Sequence, residues 1–246
     1  MGTNKIDNVE DLLSLEDKNI SILEEEIDLD VQKRYFIIAK RVARRSTSYK
    51  LLCEHYIQNI SDLYSEDVNN VTKRSMLVTL ATIADVSVYR ALENFSKQDT
   101  VLQKWAIIAL QQSRITLQNS LTDIPSTFIS SGLGGKGKLL RYFSVIFHQN
   151  EGLKDFEEKI LREEIDDMLK NLGGSLEDIE VGSTFTKIIC LLPVKIDMGK
   201  VFKTIVDESN VYGNFLRDNV LITNTKRLPD SEIYDLVAKF DASNQV

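Results

Sequence analysis

The chain is expected to fold as a two-part α+β protein: an antiparallel helical bundle, then a βαββαβ sandwich with an extra terminal helix. Three observations carry that expectation. Apolar residues recur at helical spacing from Asp30 onward, and no proline or glycine interrupts Val71–Leu121. The stretch TDIPSTFISSGLGGKGK, residues 122–138, then breaks the pattern with Pro125 and four glycines. Beyond it, β-rich runs alternate with amphipathic helices. The boundaries read as an acidic tail 1–29, a helical domain 30–124, a Gly-rich linker 125–138 and an α+β domain 139–246.

A chain of 246 residues, 43% hydrophobic and 27% charged, can bury a substantial core and has an ordinary globular composition. Its net charge of -7, from 30 basic and 37 acidic residues, argues against a surface wholly coated by nucleic acid. No apolar run approaches the roughly 20 residues of a membrane span. The start MGTNKIDNVEDLL lacks the basic-then-apolar pattern of a signal peptide. Cys53 and Cys190 stand apart among apolar neighbours, which fits free thiols in a reducing compartment. A cytoplasmic protein with no membrane contact is the expectation.

Residues 1–30 hold ten acidic side chains against Lys5 and Lys18. With Leu12, Leu13, Leu15, Ile20, Ile22 and Leu23 scattered through them, they read as a loose tail or a short packing helix. A partner-binding or self-masking segment is the alternative. From Asp30, a natural cap, a helix begins. Placing residues 100° apart puts Val31, Tyr35, Phe36, Ile38, Ala39, Val42 and Ala43 on one face. Lys33, Arg34, Lys40, Arg41, Arg44 and Arg45 fall on the opposite arc, with Ile37 the one apolar residue inside it. No acid occurs between Val31 and Cys53.

LLCEHYIQNISDLY follows as a second helix. Then Leu77, Leu80, Ala81 and Ala84 form one stripe, and a break at Asp85 leads to Val88, Ala91, Leu92 and Phe95. Asp99 opens a helix with Leu102, Trp105, Ala106, Ala109 and Leu110 inward. Helix, aspartate-bearing turn, helix, then aspartate again: residues 67–120 resemble a HEAT-like repeat. That resemblance implies stacked antiparallel helix pairs presenting a surface to partners.

In the C-terminal part, LLRYFSVIF (139–147) is a strand, 153–174 a charged helix stopped by Gly173–Gly174, and 176–194 two strands joined at Gly182–Ser183. A helix at 197–213, a strand at 215–226 and a helix opened by Pro229 complete it. This order is the split βαβ, ferredoxin-like arrangement. Tyr142 and Ile146 are apolar between apolar Phe143, Val145 and Phe147, and Ile188–Leu192 has no polar break. Both sheet faces are therefore expected to be buried, the second under the helical domain, the last helix or a second subunit, as an interface rather than a wet nucleic-acid platform.

Gly132 to Lys138 copies most of a phosphate-binding GxxxxGK[ST] loop, but Leu139 replaces the hydroxyl residue. The loop also opens a strand rather than a helix, so an interdomain hinge is the main reading. Lys136, Lys138 and Arg141 leave some contact with an anion or RNA backbone open. The basic helix arc reads first as a solvated face or one docked by the protein's own acidic tail, with RNA or DNA or an acidic protein partner as the alternatives. His55 reads as structural and His148 as a surface residue. Two histidines and two isolated cysteines make no metal cluster. Glu163, Glu164, Asp166 and Asp167 read as a solvated helix face. The expectation is a non-enzymatic interaction scaffold with no cofactor and no metal, partnered by an unknown protein or its own copies. RNA or ribosome binding is the first alternative, and a nucleotide-dependent enzyme the second.

Overall fold

The computed structural model describes residues 20–43, 46–122 and 126–243. The chain divides after Lys138 into two compact units. In the first, a strand β1 (Ile20–Ile22) precedes α1 (Leu29–Ala43) and α2 (Ser46–Gln58). A short 3-10 turn at Ile60–Leu63 leads to α3 (Asn70–Leu80), α4 (Val86–Ser96), α5 (Gln103–Leu121) and a strand β2 (Thr127–Ile129). Caps set the helix starts. Asn69 Oδ1 accepts from Thr72 N at 2.9 Å, and Asp85 Oδ1 accepts from Ser87 N at 2.7 Å and Val88 N at 3.2 Å. Each removes an orphan amide that the first helical turn cannot satisfy.

One core joins these helices. α3 packs on α1, α2, α4 and α5, and α5 also packs on α1. Tyr35, Leu77, Leu80, Leu92, Ala106 and Ile108 are fully buried within it. A repeat array buries its apolar faces between successive neighbours only. Here the first helix reaches the fifth, so this is a closed bundle, and the HEAT-like resemblance does not describe it.

Two sequence expectations fail in this unit for one reason. Residues 20–28 were expected in a loose tail and 127–137 in a linker, yet they bind each other. β1 and β2 pair in parallel, Ile20 opposite Thr127 and Ile22 opposite Ile129. Leu23 N donates to Ile129 O at 2.9 Å and Ile27 N to Gly132 O at 3.0 Å. Leu23, Ile27 and Leu133 have no exposed surface. The apolar residues inside the acidic stretch supply core, and the carboxylates between them stay in water.

The second unit runs β3 (Leu139–His148), α6 (Asp155–Asn171), β4 (Ser175–Val181), β5 (Phe185–Pro193), α7 (Met198–Asn210), β6 (Leu216–Thr223) and α8 (Asp230–Ser243). Its strands lie in the order β6-β3-β5-β4, every neighbour antiparallel. The protein is thus mixed α+β, and no helix among the described residues is long and apolar enough to cross a membrane. Leu161, Ile165 and Leu169 of α6 and Phe202 and Ile205 of α7 cover one sheet face through Ile146, Ile188, Cys190 and Leu192. On the other face Phe143, Val145, Ile189 and Leu191 are also buried. α8 covers part of that face, with the Tyr234 ring 5.4 Å from Phe185 and Ile233 fully buried.

Candidate nucleic-acid interface

α1 is anchored along one side and open along the other. Tyr35 is completely buried, its ring 5.7 Å from Trp105, and its hydroxyl donates to Gln112 Oε1 at 2.8 Å. Burial pushes the Tyr35 phenol far above its ordinary range, so it stays neutral. Gln32, also buried, donates from Nε2 to Ile27 O at 2.7 Å and Ser131 O at 2.9 Å. These contacts fix the rotation of the helix about its axis. The opposite arc is therefore held outward.

On that arc Lys33, Arg34, Lys40 and Arg41 are exposed. Lys33 lies 3.6 Å from Asp30, an exposed i,i+3 pair of small energetic weight. Lys40, Arg41 and Arg34 have no carboxylate partner among the described residues. Arg44 and Arg45, expected on the same arc, lie outside the described residues. Ile37 sits in the middle of the arc and is 56% exposed. The result is an outward helix surface carrying four exposed cations, with Asp30 at its N-terminal end.

The glycine loop is not an open phosphate cradle. Its amides already have an oxygen partner, Glu24. Gly135 N donates to Glu24 O at 3.1 Å and Gly137 N to the Glu24 carboxylate at 2.9 Å. Gly134 adopts φ +70°, and a Cβ there would stand 2.3 Å from Glu24 O. The loop's glycines exist for this close approach of two backbones. Lys136 and Lys138 project from it, exposed. Arg141, in the second unit, is paired in two places with Glu177, Nη2 to Oε1 at 2.9 Å. With its side chain only 16% exposed, Arg141 serves the sheet and is withdrawn as a ligand-binding residue.

The remaining titratable candidates are structural. His148 is not a surface residue, being 2% exposed. Its Nε2 pairs with Thr186 Oγ1 at 2.9 Å, and Nδ1 lies 3.3 Å from Ser183 O. Burial holds its pKa below the ordinary 6.5, outweighing the Ser183 carbonyl and the Glu157 carboxylate, which favour the cation. The unfolded chain then binds a proton that the folded chain resists. Stability is expected to fall as pH drops below about 6.5, before carboxylates titrate, and His148→Gln to flatten that fall. Urea midpoints at a series of pH values check it.

Cys190 is buried, its thiol pushed up to about 12 by burial, and Cys53 is half-buried; both are free. Along α6, Glu163 faces Lys159 at 3.8 Å and Asp166 pairs with Lys170. Among the described residues no group of three His, Cys, Asp or Glu side chains converges as a metal site. Sequence reasoning missed Glu24 because its partner loop lies more than a hundred residues away, and no local pattern encodes that pairing.

No family model matches the chain, and no curated protein matches it. Among solved structures, a protein described as a transposase from Deinococcus radiodurans R1 is 12% identical with a TM-score of 0.37, covering 43% of this chain and 93% of its own. A REP-associated tyrosine transposase bound to a REP hairpin is 14% identical with a TM-score of 0.32, covering 40% of this chain and 63% of its own. These similar structures are transposases, not helical-repeat scaffolds. The HEAT-like resemblance, the reading as a non-enzymatic scaffold and the expectation that the chain is no enzyme are withdrawn on that finding.

Proposed function

We propose that the protein binds nucleic acid through phosphate contacts made by the exposed face of α1. The observation that carries this is the predominantly basic arc of Lys33, Arg34, Lys40 and Arg41, held outward by the buried anchors Tyr35 and Gln32. Each cation placed on a phosphate releases condensed counterions, so four contacts give useful affinity at low salt without any base reading. Lys136 and Lys138 are secondary contacts in the same unit. A net negative chain with one local basic face suits a ligand captured at a single place.

The C-terminal unit we read as a ferredoxin-like domain beginning at Leu139, supported by its βαββαβ order and the strand order β6-β3-β5-β4. The test of function is a titration of labelled oligonucleotides with the full chain. Binding is expected to weaken steeply between about 50 and about 200 mM salt. Absence of any salt-dependent binding to DNA or RNA defeats the proposal.

A further inference from the structure

We infer that Ile37 is part of this interface and tunes it toward unpaired strands, where sugar and base faces lie open beside the phosphates. The inference rests on α1 being the nucleic-acid face. Isolated exposed apolar residues are ordinary and need no explanation. Ile37 differs in its surroundings. Its neighbours at i-4, i-3, i+3 and i+4 are Lys33, Arg34, Lys40 and Arg41, the four positions that surround a residue on a helix surface.

Such a face fits a ligand with an apolar patch flanked by anionic groups on both sides. An unpaired strand offers that arrangement: bases and sugars are reachable between successive phosphates. An intact duplex stacks its base faces away and bounds its grooves with phosphate rows. α1 is packed against its own core through Tyr35 and Val42, so one side of the helix is left to face a ligand. The cations therefore meet either form, whereas the isoleucine finds open base and sugar faces on the unpaired strand and only base edges in a duplex groove. Its branched side chain has few rotamers, so ordering it on contact costs little entropy.

The test compares wild type and Ile37→Ala on an oligothymidylate and on a duplex of matched length. The alanine variant keeps every charge, and alanine suits an exposed helix position, so its melting temperature serves as a control for folding. Its affinity for the single strand is expected to fall about fivefold, with duplex affinity and both salt slopes unchanged. Ile37→Lys adds a cation, so it is expected to tighten duplex binding while its preference for the single strand shrinks. Equal weakening on both ligands, or no weakening on either, overturns the role of Ile37 and leaves the phosphate face standing. Wild type that binds neither ligand in a salt-dependent way removes the underlying proposal instead. Tighter binding to anionic phospholipid vesicles than to the oligothymidylate also overturns the inference.

Discussion

Replacing Gly134 with alanine is expected to destabilise the N-terminal unit by about 3–5 kcal/mol, and with valine to unfold it. Two effects add at this position. The backbone sits at φ +70°, where a side chain is strained. The new Cβ would also meet Glu24 O at 2.3 Å and Glu25 O at 2.6 Å, and both are backbone atoms that cannot swing aside. Relief requires the 24–27 segment to leave the loop, which exposes Leu23 and Ile27. Gly137 is the internal control: it has a similar φ of +60° but nothing within 4 Å of its would-be Cβ. Gly137→Ala is expected to cost only about 1–2 kcal/mol. Urea unfolding followed through Trp105, the single tryptophan and 4% exposed in this unit, reports the difference directly. Equal losses at 134 and 137 would contradict the packing described for the loop.

Reversing the four charges of the α1 face, with Lys33, Arg34, Lys40 and Arg41 all changed to Glu, is expected to lower oligonucleotide affinity by at least about a hundredfold at low salt. The effect exceeds that of neutralisation because each new carboxylate repels the phosphate its predecessor attracted. Folding should survive, since all four side chains are exposed and Lys33 alone of the arc's described cations faces a carboxylate. The melting transition of Trp105 fluorescence separates lost binding from lost structure. Reversal of Lys136 and Lys138 alone is expected to weaken binding much less.

The parts of the fold that the sequence announces are those with enough residues to show a period. The strand read at 139–147 is Leu139–His148, and the helix read at 197–213 is Met198–Asn210. The amphipathic pattern of α1 puts Lys33, Arg34, Lys40 and Arg41 on the side that the structure leaves exposed. β1 and β2 escaped notice because three-residue strands carry no measurable alternation, and their partner is a hundred residues distant. The same distance hid the role of the glycines, whose spacing imitates a phosphate loop while their amides hold Glu24. His148 was misplaced because its burial depends on Thr186 and Ser183 of the β5 region, which nothing in the local FHQN sequence signals.

The most direct test of nucleic-acid binding by α1 is the salt dependence of affinity for a single-stranded oligonucleotide. It is measured on the wild type and on a variant with Lys33, Arg34, Lys40 and Arg41 changed to Gln. If these side chains neutralise phosphates, the slope of log K against log salt should flatten by about 3 in the variant, at roughly 0.7 per lost contact. Identical slopes in the two proteins would contradict the assignment and show that any binding lies elsewhere on the chain.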